Sequence, residues 1–211
     1  MTRLSVNLNK IALIRNARGS NYPDLIQVAK DCERFGAQGI TVHPRPDERH
    51  CKFSDLQLLK ENCNTEFNIE GFPDRHFLDA IINVKPHQCT LVPDAPGQLT
   101  SDHGWNTIAQ KDFLKEVIAE LKSKDIRVSL FIDADAAMIE GAANIGADRI
   151  EYYTGPYAKN YAANPERAIK EIKETCAIAI AAGLGINAGH DLNLHNLKYL
   201  TDISDFLNSN H

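Results

Sequence analysis

The chain has 211 residues, 43% hydrophobic and 24% charged, the balance of a water-soluble globular domain large enough to bury a full core. A formal net charge of −5 without a basic block argues against nucleic acid as a partner. No apolar run approaches the ~18 residues needed to cross a bilayer, and MTRLSVNLNK lacks the apolar core of a signal peptide. Five widely spaced cysteines with no CxxC point to reduced thiols and a cytoplasmic location.

In chain order, short β-type runs alternate with longer helical patterns. LSVNL at 4–8 is the first strand, and NLNKIALIRNARGSNYPD follows it as the first turn; it is not GxGxxG, so a dinucleotide-binding fingerprint is absent. DLIQVAKDCERFG (24–36) has apolar residues at helical spacing and leads to the strand GITVH (39–43). EFNIEG (66–71), RHFLDAIINVK (75–85) and QCTLVPD (88–94) read as strand, helix and strand. KDFLKEVIAELKSKD (111–125), RVSLFIDAD (127–135), AAMIEGAANIG (136–146) and DRIEYYTG (148–155) continue the alternation. PERAIKEIKETCAIAIAAG (165–183), GINAGH (185–190) and LHNLKYLTDI (194–203) close it as helix, strand and helix. Gly36, Gly146 and Gly183 stand where helices commonly stop. Most strands read as continuous apolar runs, as expected when both faces are buried in a parallel arrangement.

Seven such repeats without a shift in composition predict one α/β domain over 1–211, a TIM-type (β/α)8 barrel. Its eighth βα unit is expected to be missing or incomplete, since only SDFLNSNH follows the last helical stretch.

In such a barrel, chemistry gathers at the C-terminal ends of the strands. Those ends carry Asn7, Asn9 and Lys10; His43, with Arg45 and His50 behind it; Glu70; Asp94 and Thr100; Asp133 and Asp135; Glu151; and His190. A carboxylate in an apolar strand, as at Glu70 and Glu151, is costly unless paired or used. His43 alone reads equally well as a hydrogen-bonded strand-end histidine. Asp133 and Asp135 read best as caps of the helix starting near Ala136. His76, His87, His103 and His195 read as surface residues. Arg15, Arg18 and Arg45 are either surface charges or, as loop arginines near the mouth, a phosphate grip. Glu70, Asp133, Glu151 and His190 leave a metal-dependent isomerase open as a minor alternative.

Taken together, RNARG (15–19), GITVHPRPDERH (39–50), FNIEG (67–71), KPHQCTLVPD (85–94), SLFIDAD (129–135), IEYYTGPYA (150–158) and INAGHDLN (186–193) resemble the pyridoxine 5'-phosphate synthase family, in order and over about residues 4–200. The resemblance implies a (β/α)8 barrel that condenses 1-deoxy-D-xylulose 5-phosphate with 3-amino-2-oxopropyl phosphate. Pyridoxine 5'-phosphate, inorganic phosphate and water are the products, and neither metal nor organic cofactor is required. It further implies His43 and Glu70 as general bases, His190 as general acid and Glu151 as a carboxylate that stabilises charge. Asn7 and Arg18 match contacts to the aminoketone phosphate, and Arg45, His50 and Thr100 match contacts to the deoxyxylulose phosphate. Asn9 and Lys10 stand where many members have Asp and His on that same sugar phosphate. Asp191 stands where many have Gly, so that its backbone alone matches.

The family forms homo-oligomers, commonly octamers. Its eighth strand ends in a Gly-His pair, where this chain has Asn210 and His211. The alternative to a working synthase is a non-catalytic phosphosugar-binding barrel that lost activity with its C-terminal unit.

Overall fold

The computed structural model describes residues 2–94, 98 and 100–208. The chain divides into two compact units, residues 3–99 with 121–127, and residues 100–120 with 128–211, apart from the first two residues, which group with the latter.

In the first unit, β1 (Ser5–Asn7), α1 (Asn9–Arg18), α2 (Leu25–Arg34), β2 (Gly39–Val42), α3 (Phe53–Asn62), β3 (Glu66–Gly71), α4 (Arg75–Val84) and β4 (Gln88–Leu91) follow one another. Each strand pairs in parallel with the next, in register Asn7↔Thr41, Thr41↔Asn68 and Asn68↔Gln88. The second unit carries most of α5 (Lys111–Lys122) and of β5 (Arg127–Ile132). It continues with α6 (Ala136–Asn144), β6 (Arg149–Tyr153), α7 (Gly155–Tyr161), α8 (Pro165–Ala168), α9 (Lys170–Ala181), β7 (Gly185–Gly189) and α10 (Leu197–Asn208). Here too the pairing is parallel and sequential: Phe131↔Glu151 and Glu151↔Asn187. Successive βα units joined in this way are the α/β fold of the TIM type, with seven strands among the described residues. The expected Gly-His counterpart, Asn210 and His211, lies outside the described residues.

Elements begin and end where the local chemistry demands. Asp24, Asp74 and Asp135 cap α2, α4 and α6, each carboxylate accepting a main-chain N–H from the first turn. Gly36, Gly146 and Gly183 take φ of 102°, 88° and 77° just beyond α2, α6 and α9, a region side chains resist. The run at 165–183 is two helices: α8 ends at Ala168, and Ile169 separates it from α9, which starts at Lys170. NKIALIRNAR, read as a turn, is helix α1; only Ala12 and Arg15 of it are buried, so its apolar stripe is thin.

Strands β2 to β6 are buried on both faces, whereas β1 and β7 carry no buried residue, and in the buried strands the two faces differ. Ile40, Val42, Phe67, Ile69, Cys89 and Leu91 alternate with Thr41, His43, Asn68, Gln88 and Thr90, all buried. The polar set is hydrogen-bonded across the strands. Ser5 lies 2.7 Å from Thr41, and Gln88 and Thr90 both donate to the Asn68 amide oxygen at 3.2 and 3.1 Å. Arg127 donates to Gln88 at 2.9 Å and pairs with Glu66 at 2.7 Å. In the second unit Arg149 donates to Asn187 at 2.9 Å on the corresponding face. Two-faced burial with one polar face looks apolar in sequence, because Thr, Asn and Ser are small and interspersed.

Candidate functional site

In the first unit the polar strand face ends in acid–base groups. His43 directly follows β2 and Glu70 lies in β3, with His43 Nδ1 3.9 Å from Glu70 Oε2. That is too long for a hydrogen bond, and His43 is uncharged. Burial above all, then the positive charges of Arg45, His50 and Arg49, pushes its imidazole down to about 3. His43 is therefore neutral at physiological pH.

The main chain of His43 is held by Asn9, whose amide oxygen accepts the His43 N–H at 2.8 Å. Asn7 accepts the Asn9 N–H at 2.8 Å and so shapes the start of α1. Lys10 is exposed in the first turn of α1, and Arg18 is exposed in its last. Asn7, Asn9, His43 and Glu70 are thus linked by the β1–β2–β3 pairing, whereas Arg18 stands two turns farther along α1. Arg15 is not a loop residue and not a phosphate grip. It is buried and forks onto Asp55 of α3, with both oxygens at 2.7 Å. Burial alone would raise the Asp55 carboxyl, but the Arg15 bonds and the Lys52 N–H carry it below its ordinary value.

The loop after β2 concentrates positive charge. Arg45 is buried and pairs with Asp94 at 2.8 Å. It also donates to the carbonyl of Gln98 at 2.9 Å. Arg49 donates to that same carbonyl at 2.7 Å and pairs with Asp47 at 3.2 Å. Three carbonyls of the loop, those of Glu48, Arg49 and His50, surround the Asn16 amide at 3.1, 3.0 and 2.7 Å, which fixes its path against α1. Burial, then Arg49, Arg45 and Lys10, lowers the pKa of His50.

In the second unit the site residues gather on His190. Its Nε2 is 2.9 Å from the Thr100 hydroxyl, and its Nδ1 is 3.0 Å from Asp191 Oδ2. The ring meets Tyr153 edge-on, with centroids 5.2 Å apart. His190 and Asp191 both have positive φ, 95° and 57°, a conformation side-chain-bearing residues adopt at a cost and one common at functional sites. Thr154 holds this turn, its hydroxyl lying 2.6 Å from the Gly189 carbonyl and 2.5 Å from that of His190.

Glu151 is buried on β6, and a Cβ on Gly189 would sit 2.7 Å from its Oε1. The small residue before His190 therefore makes room for the Glu151 carboxylate. Asp102, Tyr153, Lys159, Asn160, Asp191 and Asn193 line most of a cleft of about 720 Å³ beside this turn. Burial foremost, then the charges of Asp191, Asp102 and Asp133, raises the Tyr153 phenol. Asp135 caps α6 as read from the sequence; Asp133 instead accepts the Gly104 N–H at 3.1 Å.

Four partners carry no signal in the sequence: Asp94 on Arg45, Gln98 shared by two arginines, and Tyr153 and Thr154 about His190. The first two depend on contacts some fifty positions apart in the chain, which no local pattern signals. Tyr153 and Thr154 lie in the strand end DRIEYYTG, where alternation puts Tyr153 on the face of Glu151.

The family model described as "Pyridoxal phosphate biosynthesis protein PdxJ" matches residues 4–210. A Cytophaga hutchinsonii protein named pyridoxine 5'-phosphate synthase is 59% identical over 207 residues, 98% of this chain and 87% of that protein. One of the same name from Phocaeicola vulgatus is 56% identical over 200 residues, 95% of this chain and 84% of that one. Among solved structures, mandelate oxidase with 3,3-difluoro-2-hydroxy-3-phenylpropionic acid matches with a TM-score of 0.56. That match covers 87% of this chain and 66% of the longer oxidase chain, and at 11% identity it is a likeness of fold alone.

Proposed function

The chain belongs to the PdxJ family of pyridoxal phosphate biosynthesis proteins, and from that premise we infer that it is a pyridoxine 5'-phosphate synthase. It condenses 1-deoxy-D-xylulose 5-phosphate with 3-amino-2-oxopropyl phosphate, releasing phosphate and water. The observation that carries this reading is identity of 59% to a synthase across 98% of the chain.

The reaction asks for repeated proton transfers on two phosphorylated substrates held together. The substrate amine attacks a ketone, water leaves, phosphate is eliminated, and the ring closes with a second dehydration. His43, kept neutral by burial and neighbouring cations, and Glu70 take the roles of general bases. His190, whose Nε2 meets the Thr100 hydroxyl at 2.9 Å, is the general acid. Glu151 stabilises developing positive charge. Arg45, His50 and Thr100 bind the deoxyxylulose phosphate, joined by Asn9 and Lys10. Asn7 and Arg18 bind the aminoketone phosphate, with the Asp191 backbone beside it. Asn9 has a second task, since its side chain already holds the His43 main chain.

The enzyme works in the cytoplasm as a homo-oligomer. Among the described residues no helix is long and apolar enough to cross a membrane.

A calorimetric titration with each phosphate ester separates this reading from a barrel that only binds phosphosugars. The synthase binds both 1-deoxy-D-xylulose 5-phosphate and 3-amino-2-oxopropyl phosphate. Binding of the sugar ester alone would favour the non-catalytic alternative.

A further inference from the structure

The loop after β2 holds a second arginine to which the family reading gives no role. Arg45 and Arg49 are arranged alike. Each gives one terminal nitrogen to a carboxylate: Arg45 Nη2 to Asp94 at 2.8 Å, and Arg49 Nη1 to Asp47 at 3.2 Å. Each turns its other terminal nitrogen to one and the same oxygen, the Gln98 carbonyl, 2.9 Å from Arg45 Nη1 and 2.7 Å from Arg49 Nη2.

Two guanidinium groups repel, and bringing both within hydrogen-bond distance of one point is favourable only if that point carries negative charge. A main-chain carbonyl supplies a fraction of a charge. A phosphate oxygen supplies far more, and the planar fork of arginine matches phosphate geometry. The surroundings strengthen the field. Arg45 is buried, so its charge is poorly screened. Burial first, then Arg49, Arg45 and Lys10, lowers the proton affinity of His50, which marks this loop as a place of concentrated positive charge. Asp94 and Asp47 each pair with one of the two guanidinium groups and hold it in orientation.

We propose that Arg49 is a phosphate-binding residue on a par with Arg45, and that a phosphate oxygen of the sugar ester takes the place occupied by the Gln98 carbonyl. The identity of the ester, 1-deoxy-D-xylulose 5-phosphate, rests on the synthase reading; the convergence of the two arginines does not. Binding exchanges one acceptor for another: the carbonyl gives up both N–H bonds, and the phosphate oxygen takes them.

The test is calorimetric titration of wild type, Arg49→Ala and Arg49→Lys with 1-deoxy-D-xylulose 5-phosphate, 3-amino-2-oxopropyl phosphate and inorganic phosphate. Loss of a charge-assisted bond predicts Kd for the sugar ester about 10- to 100-fold higher in Arg49→Ala. Arg49→Lys, which keeps the charge without the fork, falls between, and affinity for the aminoketone phosphate changes less than about twofold. Thermal unfolding checks that Arg49→Ala is folded; if it is not, Arg49→Lys carries the comparison. Wild-type affinity for the sugar ester in the folded variant would overturn the role of Arg49 and leave the synthase reading intact. If wild type ignores the sugar ester but binds inorganic phosphate through Arg49, the synthase reading fails and the anion site stands. If wild type binds neither, both fall.

Discussion

His43 shows how a single residue links stability to catalysis. Its proton affinity is lowered to about 3 by burial and by Arg45, His50 and Arg49, whereas an unfolded histidine titrates near 6.5. Between those values the unfolded chain binds more protons than the folded one, so stability falls as pH drops below about 6.5. The stabilisation is fully present above that pH, and up to about 4 kcal/mol of it disappears toward pH 3. Urea unfolding at pH 7, 5.5 and 4.5 should show a steeper loss for wild type than for His43→Gln, in which His50 and His87 still titrate. Parallel slopes would mean that His43 is not the buried neutral imidazole described here. Glu70→Gln keeps size but removes a base, so kcat should fall about 10²- to 10⁴-fold with little change in the unfolding midpoint; undiminished kcat would remove Glu70 from the chemistry. These strand-end groups were legible because a carboxylate or imidazole inside an apolar run stands out. The pairing of Arg45 with Asp94 was not, since the partners are far apart in the chain and an arginine on a loop reads the same whether paired or bare.

At the scale of elements, α1 is tied to α3 by Arg15 and Asp55. The pair is largely buried, with side-chain exposures of 8% and 15%, so removing one partner strands the other charge. Arg15→Ala should cost about 3–5 kcal/mol in chemical unfolding; a change below about 1 kcal/mol would show the pair to be incidental. The turn after β7 depends on a missing side chain. Gly189→Ala puts a methyl 2.7 Å from Glu151 Oε1, so the carboxylate or the strand must move. We expect at least a tenfold lower kcat, with a stability loss of about 1–3 kcal/mol from overpacking; unchanged turnover would show that the position of Glu151 is not critical. Strand and helix order was readable from periodicity and from the glycines that stop α2, α6 and α9. Helix α1 escaped, since Leu13 and Ile14 are exposed and Arg15 is buried, the reverse of an amphipathic pattern. The polar face of the sheet escaped for a related reason: Thr41, Asn68 and Gln88 satisfy one another across strands, and no single strand shows that.

For the whole molecule, the count and order of βα units were set by the alternation of short β-type runs with helical stretches, and all seven predicted strands are present. Function was less accessible to first principles. Acid–base residues at strand ends announce proton-transfer chemistry but not which substrates undergo it. The order of motifs from RNARG to INAGHDLN carries that information, and near-full-length identity to named synthases carries it further. The most direct measurement is turnover by the purified 211-residue chain. It is incubated with 1-deoxy-D-xylulose 5-phosphate and 3-amino-2-oxopropyl phosphate, and product is followed by absorbance and identified by mass. Accumulation of pyridoxine 5'-phosphate with one inorganic phosphate released per product, abolished in Glu70→Gln, is the expected result. A folded chain that binds the sugar ester yet forms no pyridoxine 5'-phosphate would contradict the synthase assignment and leave a phosphosugar-binding protein in its place.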